Sequence, residues 1–164
     1  MTSQSKRRSG VLLIGLALLG TAVPAAADQR KLPYFLSIEA GKARMRTGPG
    51  RNYPSSWIYQ RPGLPVRVVA VYGEWRKVQD PDGTEGWMLF NLLKDRRTGM
   101  IRGAITELRA EPRGDAGINW RAEPGVVGRI SKCQSGWCWF DANGRAGYVE
   151  QARLWGVEPG ESVP

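Results

Sequence analysis

The segment RMRTGPGRNYP, residues 44–54, decides the fold, because a related segment returns about 63 residues later in the chain. The pattern that follows it returns as well. The aligned pairs are Arg46 and Arg109, Pro49 and Pro112, Pro62 and Pro124, Trp75 and Trp137, Gly86 and Gly147, and Trp87 and Tyr148. Their separations shrink only from 63 to 61 residues, so small loop deletions separate two copies of one unit. We place the copies at residues 33–94 and 97–157, joined by the charged KDRR segment.

Each copy has the pattern of an all-β unit. VRVVAVY, residues 66–72, is rich in β-branched side chains, and tight-turn residues follow at Gly73–Glu74 and Ser135–Gly136. Further turn signals stand at DPDG, residues 80–83, and ANG, residues 142–144. No window of ten residues in residues 28–164 keeps a helical apolar period. A unit of this size with short strands has to close on itself to hide its edges, so we predict two small tandem β-barrels.

The RMRTGPGRNYP segment resembles the N-L-R-x-G-P-[SG] signature of bacterial SH3-like domains. The later PG-L-P-V, W-R-K-V and G-W-M groups are similar to the rest of that module. The second copy departs from it at Glu111, which replaces a Gly, and at Tyr148, which replaces a Trp. The tandem arrangement ending in LWGVEPGE resembles exported tandem SH3-domain proteins of alphaproteobacteria. The resemblance implies SH3-like barrels that bind peptidoglycan or protein partners.

The first residues have the three parts of a secretory signal peptide. A basic stretch at residues 6–8 precedes an apolar run at residues 11–20, and Ala25–Ala27 supplies the small residues of a cleavage site. We predict cleavage after Ala27, a mature protein starting at Asp28, and a periplasmic or secreted location. The apolar run falls short of the roughly 18–20 residues of a membrane span, so we expect no stable membrane insertion after cleavage. The general and twin-arginine export routes both remain open.

Charge and composition exclude several functions. The leader takes three of the 24 basic residues and none of the 15 acidic ones, which leaves 21 against 15 and a net charge of +6. These charges are scattered, and nucleic acid is not expected as a partner of an exported chain. The chain has no histidine, which removes the commonest catalytic base and zinc ligand. Asp80, Asp82 and Glu85 fit a polar hairpin turn better than a calcium loop. We therefore predict no enzyme activity, no metal and no cofactor.

Aromatic and basic residues around the first copy's irregular loop are the candidate ligand site. Aromatic rings at loop ends can stack on sugars or peptides, and arginines can pair with carboxylates. The candidate residues are Arg46, Arg51, Tyr53, Trp57, Tyr59 and Trp87. The second copy has fewer aromatic residues there, so we expect it to support the first. Peptidoglycan is the predicted ligand, and an envelope protein is the alternative.

The two cysteines of SKCQSGWCWF, residues 131–140, admit three interpretations: a redox pair, half of a metal site, or a bridge. A two-residue turn at Ser135–Gly136 would set Cys133 opposite Cys138, with Cα atoms about 4.5–5.5 Å apart. That spacing suits a disulfide, and an exported protein meets an oxidising compartment. We predict a structural Cys133–Cys138 disulfide.

Overall fold

The computed structural model describes residues 30–164, which form two seven-stranded antiparallel sheets, one from each copy. The strands of the first copy are β1 (Tyr34–Ile38), β2 (Ala43–Arg46), β3 (Ser55–Tyr59), β4 (Pro65–Tyr72), β5 (Trp75–Gln79), β6 (Glu85–Leu89) and β7 (Leu93–Lys94). Those of the second are β8 (Thr98–Ile101), β9 (Thr106–Arg109), β10 (Ile118–Ala122), β11 (Val127–Gln134), β12 (Trp137–Ala142), β13 (Arg145–Glu150) and β14 (Leu154–Trp155). A one-turn 3-10 helix precedes the last strand of each copy, at Phe90–Leu92 and Gln151–Arg153.

The two sheets have the same strand order. The first runs β3-β2-β6-β5-β4-β1-β7, and the second runs β10-β9-β13-β12-β11-β8-β14, which is the first order with every number raised by seven. The predicted all-β class and the arrangement of two tandem units are therefore confirmed.

Each sheet curls around its own apolar core, which follows the two-residue period of a strand. In β2, Ala43 and Met45 are buried while Arg44 between them is exposed. The first core contains Leu36, Ile38, Met45, Val66, Val68, Val78 and Met88. The second contains Ile101, Leu108, Ile130, Cys138, Phe140 and Val149.

The turn residues lie where the sequence predicts them. Gly73 has a φ of 51° in the two-residue connection between β4 and β5. Ser135 and Gly136 have φ values of 51° and 81°, and Asn143 and Gly144 have 56° and 86°. Two consecutive positive φ angles define a type I′ turn, whose twist suits a β-hairpin.

The cysteines form the predicted disulfide between Cys133 and Cys138. Their Cα atoms are 4.0 Å apart, closer than the range expected for a regular pair. The hairpin is not regular here, because the register shifts between Ser131 and Gln134. Two residues of β11, Lys132 and Cys133, therefore lie opposite Cys138, and this bulge brings the backbones together.

The first copy holds the same hairpin with an arginine. Arg76 stands where Cys138 stands in the second copy, and its side chain is buried. Its guanidinium donates a 2.9 Å hydrogen bond to the carbonyl oxygen of Gly73 in the turn, and it lies 4.6 Å from the ring centroid of Phe90. The two copies thus stabilise one hairpin by different chemistry.

Trp155 joins the two barrels. Its indole packs edge-on against Phe35 of the first barrel, with ring centroids 5.4 Å apart. Its Nε1–H donates a 3.1 Å hydrogen bond to the carbonyl oxygen of Pro65. Met100 and Val127 of the second copy pack against the first core, so an apolar seam runs between the barrels.

The last residues, 156–164, lie along this seam. Glu158 forms an ion pair with Arg67 of the first barrel at 2.6 Å. Val163 forms a β-bridge with Cys133, with N–H to oxygen bonds of 2.8 and 3.1 Å in the two directions. The terminal segment therefore contacts both barrels.

The predicted signal peptide, residues 1–27, and its cleavage site lie outside the described residues. Within residues 30–164, no helix has the length and apolarity needed to cross a bilayer.

Candidate functional site

The arginine of the signature segment fixes the loop that follows it. Arg46 donates a 2.6 Å hydrogen bond from its guanidinium to the carbonyl oxygen of Tyr53, seven residues later. Arg109 makes the equivalent bond to Ala116 at 2.7 Å, again seven residues later. Both copies therefore use this arginine to close the loop between their second and third strands. Its role in loop geometry explains why both copies carry it.

Tyr53 packs on the glycines of the same loop. A Cβ added at Gly48 would fall within the ring of Tyr53, and one at Gly50 would approach that ring to 3.2 Å. The second copy has Glu111 in place of Gly48 and the small, buried Ala116 in place of Tyr53. The second copy therefore has a side chain at the position of Gly48 and no aromatic ring at the position of Tyr53.

Trp57 and Tyr59 lie on β3 beside a surface cavity of about 240 Å³. The ring of Trp57 is 59% exposed, whereas Tyr59 is 7% exposed and belongs to the first core. The turn after β5 supplies Asp80 and Asp82 to the wall, and the second barrel supplies Met100. The cavity thus combines an indole, a buried phenol and two carboxyl groups.

A hydrogen bond at the bottom of this cavity joins Tyr59 to Asp80. The hydroxyl of Tyr59 donates to Asp80 Oδ2 at 2.8 Å, while Asp80 Oδ1 accepts from the backbone N–H groups of Asp82 and Thr84 at 3.0 and 2.8 Å. Burial, followed by this hydrogen bond and the nearby carboxylate charges, raises the pKa of Tyr59 well above its usual range. Asp80 is thus a turn-forming residue, in agreement with the predicted polar hairpin turn.

Trp87 lies on the opposite side of the sheet from Trp57. Trp57 pairs with Met45, which is completely buried, so the two side chains project from the same face of the sheet, although Trp57 on the edge strand is exposed. Arg46, the next residue, pairs with Trp87, and Trp87 pairs in turn with Lys77. These three side chains form a row on the outer face.

The six predicted residues therefore form groups rather than one groove. Trp57 and Tyr59 line the cavity, Arg51 and Tyr53 stand on the loop, and Arg46 and Trp87 belong to the outer row. Tyr59 and Arg46 are engaged within the barrel, which leaves Arg51, Tyr53 and Trp57 as the most accessible of the set. The ligand-binding role of all six stays a prediction.

A family model described as bacterial SH3 domain matches the chain twice, at residues 39–94 and 103–156. The chain belongs to the bacterial SH3 domain family. Bacterial SH3 domains are commonly cell-wall binding modules, are generally non-catalytic, and are typically extracellular or periplasmic. The interpretation of the sequence as a cell-envelope binding module agrees with what is common for this type of domain, and the ligand stays a prediction.

Two solved structures are similar to this pair of bacterial SH3 domains. NlpC2 from Trichomonas vaginalis is 12% identical with a TM-score of 0.35, and the match covers 77% of this chain and 49% of NlpC2. NlpC1 from the same organism is 12% identical with a TM-score of 0.34, covering 79% and 48%. The chain thus spans about half the length of either structure. No curated protein matches it.

Sequence reasoning missed the partnership between Tyr59 and Asp80. The signal was in the repeat itself, because the second bacterial SH3 domain has Ala122 and Ala142 at the two positions. It also missed Trp155, which stands where the first copy has Lys94. A large aromatic residue in one copy and a lysine in the other indicates a contact that only one copy makes.

Proposed function

We propose that the protein is an exported, non-catalytic module that binds peptidoglycan through the first bacterial SH3 domain. The observation that carries the proposal is the exposure of two rings beside a closed loop. Trp57 is 59% exposed and Tyr53 is 42% exposed. Exposed rings next to a fixed loop favour a stacking surface for sugars and peptides.

The charges around the loop fit this ligand. Arg51 is exposed on the same loop as Tyr53. Stem peptides of peptidoglycan carry carboxylates, with which a guanidinium can form two parallel hydrogen bonds. The net charge of +6 for residues 28–164 acts in the same direction, since it attracts an anionic polymer at long range.

The predicted signal peptide supports the proposal, because it would export the protein from the cytoplasm. Cleavage after Ala27 would deliver residues 28–164 to the compartment where peptidoglycan lies. Sequencing of the N-terminus of exported protein tests this step, and a chain that still starts at Met1 would favour an anchor instead.

A second candidate function is recognition of an envelope protein, and one observation favours it. β3 is an edge strand with the sequence SSWIY, of which four residues are exposed and none is charged. Edge strands in natural proteins usually carry charges or prolines that prevent pairing with another chain. An edge without them can accept an extended peptide as an additional strand.

Sedimentation with purified peptidoglycan sacculi tests the first candidate. The wild-type protein should sediment with sacculi, and the double variant Tyr53→Ala/Trp57→Ala should stay in solution while its β-type circular dichroism is unchanged. Trp120→Ala is the matched control, because Trp120 occupies the position of Trp57 in the second copy and is 46% exposed.

The outcomes separate the hypotheses. Loss of binding in Trp120→Ala alone would move the site to the second copy. Retention in both variants would reject the aromatic surface. Absence of sacculus binding in the wild-type protein, together with a periplasmic protein cross-linked to β3, would favour the second candidate.

A further inference from the structure

Two surface cavities of the second barrel share a pair of residues. The larger, of about 680 Å³, lies at the seam between the second barrel, the terminal segment and Phe35 of the first barrel. The smaller, of about 260 Å³, lies over the outer side of β9 and β10. Trp137 and Glu150 line both of them. The cavities therefore adjoin at this pair, and we call the two together the Trp137 groove.

The pair at the middle of the groove differs from its counterpart in the first barrel. There Trp75 lies opposite Leu89 and is only 9% exposed. In the second barrel Trp137 lies opposite Glu150, and its ring is half-buried. Trp137 is thus more exposed than Trp75 and has a carboxylate neighbour where Trp75 has an apolar one.

Arginines surround the pair. Five arginines and three glutamates line the two cavities, a difference of two positive charges. The residues are Arg67, Arg102, Arg109, Arg121 and Arg153, with Glu107, Glu150 and Glu158. The groove therefore favours an anionic ligand.

Two of these arginines are available to a ligand. Arg67 forms an ion pair with Glu158. Arg109 and Arg121 both form ion pairs with Glu107. Within residues 30–164, neither Arg102 nor Arg153 has a carboxylate within ion-pair distance.

A backbone bond places these two arginines side by side. The N–H of Arg102 donates to the carbonyl oxygen of Arg153 at 2.9 Å. Arg102 lines the larger cavity and Arg153 the smaller one, so each half of the groove contains one of them. The guanidinium of Arg102 lies 5.3 Å from the ring centroid of Trp155, which orients it on the groove wall.

We propose that the Trp137 groove binds an oligosaccharide whose sugars carry carboxylates. The apolar face of a sugar ring packs on the exposed part of Trp137, and Glu150 accepts hydrogen bonds from the hydroxyl groups of that sugar. Carboxylates of the neighbouring sugars pair with Arg102 and Arg153. This site lies on the second barrel and the seam, and it is separate from the loop of the first barrel on which the proposed function rests.

Isothermal titration with defined probes tests the site on the full mature chain. A galacturonate hexamer supplies rings and carboxylates, cellohexaose supplies rings alone, and hexaglutamate supplies carboxylates alone. The galacturonate hexamer should bind at least about tenfold more tightly than either control, because only it makes both kinds of contact. If hexaglutamate bound as tightly as the galacturonate hexamer, the groove would be a basic surface without a sugar site, and the proposal would fail. If cellohexaose bound as tightly, the arginines would have no role in binding, and the proposal would fail as well. Absence of galacturonate binding would overturn the proposal.

Variants assign the binding to the groove. Glu150→Leu recreates the first barrel's tryptophan–leucine pair, so it should preserve the fold, cover the indole and weaken binding at least about tenfold. Arg102→Ala/Arg153→Ala should weaken it by a similar factor. Arg129→Ala removes an exposed arginine outside both cavities and should change affinity less than about twofold.

Two results would place the ligand elsewhere: equal losses in Arg129→Ala and in the double arginine variant, or full affinity in Glu150→Leu. Trp57→Ala should leave galacturonate binding unchanged whether or not it affects sacculus binding. The failure of either site is therefore distinguishable from failure of the other.

Discussion

The Tyr59 hydroxyl and the Asp80 carboxylate are hydrogen-bonded at 2.8 Å in the first barrel, and the second barrel replaces both residues by alanine. Removal of one partner alone would leave a buried polar atom without its bond. Such an atom costs about 1–3 kcal/mol. The two residues are therefore expected to behave as one unit.

A double-mutant cycle tests this unit. Tyr59→Phe and Asp80→Ala should each lower the free energy of unfolding by about 1–3 kcal/mol, and the double variant should lose less than the sum of the two. Urea unfolding of the wild type, the two single variants and the double variant gives the coupling free energy between Tyr59 and Asp80. Additive losses would mean that the bond contributes nothing beyond the separate packing of its partners.

Tyr59 also predicts an alkaline limit to stability. Its pKa is raised in the folded protein, whereas an unfolded tyrosine titrates near about 10. Above that pH the unfolded chain releases a proton that the folded chain keeps, so the free energy of unfolding falls as pH rises. Below about pH 10 the contribution of Tyr59 to the free energy of unfolding is fully present. Tyr59→Phe should flatten the decline, whereas Tyr72→Phe, at a 66% exposed position, should not.

Glu161 predicts an acid limit. Burial disfavours its charge, but the hydrogen bond from Arg97, the hydrogen bond from the Glu158 N–H and the charge of Arg97 outweigh burial and lower its pKa below the usual 4.5. The contribution of Glu161 to the free energy of unfolding is complete above pH 4.5. It is lost as the pH falls through the lower pKa that Glu161 has in the folded protein. Stability measured from pH 6 to pH 2 should therefore decline less steeply in Glu161→Gln. Glu111→Gln, in an exposed ion pair, should follow the wild type.

Gly48 should tolerate no side chain while Tyr53 is present. Gly48→Ala would drive a Cβ into that ring and should destabilise the protein by about 1–3 kcal/mol. Adding Tyr53→Ala should recover part of the loss, since it recreates the small residue of the second copy. Gly41→Ala is the control, because nothing lies within 4 Å of its Cβ position. Equal thermal shifts at both glycines would refute the packing argument.

The disulfide should be a local support of one hairpin. Replacement of Cys133 and Cys138 by serine should lower the free energy of unfolding by about 2 kcal/mol, because the bridge closes a loop of only a few residues. The β-type circular dichroism should persist, as the first barrel forms the same hairpin without a bridge. Complete unfolding of the variant at room temperature would contradict this.

The sequence predicts the barrels well because their determinants are local and occur twice. Alternation in β4, the glycine at position 73 and the Ser135–Gly136 turn each specify a hairpin without reference to distant residues. The disulfide follows from that turn. The bulge in β11 and the pairing of the terminal segment with Cys133 do not follow from it.

The candidate site was less predictable because exposure is a property of the closed barrel. Trp57 and Tyr59 are two residues apart on one strand and share a face, yet one is exposed and the other belongs to the core. The buried hydrogen-bond partner of Tyr59 is Asp80, which lies 21 residues later in the sequence. The contacts of Trp155 across the seam are equally non-local.

The seam has a consequence for how the molecule comes apart. A string of independent repeats melts piecewise, whereas units that share buried surface melt together. Trp155 is inserted between the barrels, and Glu158 binds Arg67 beyond it, so opening either barrel exposes surface on the other. We expect one cooperative calorimetric transition, with the van't Hoff and calorimetric enthalpies equal for the pair. The two copies of one module are thus expected to unfold as a single thermodynamic unit.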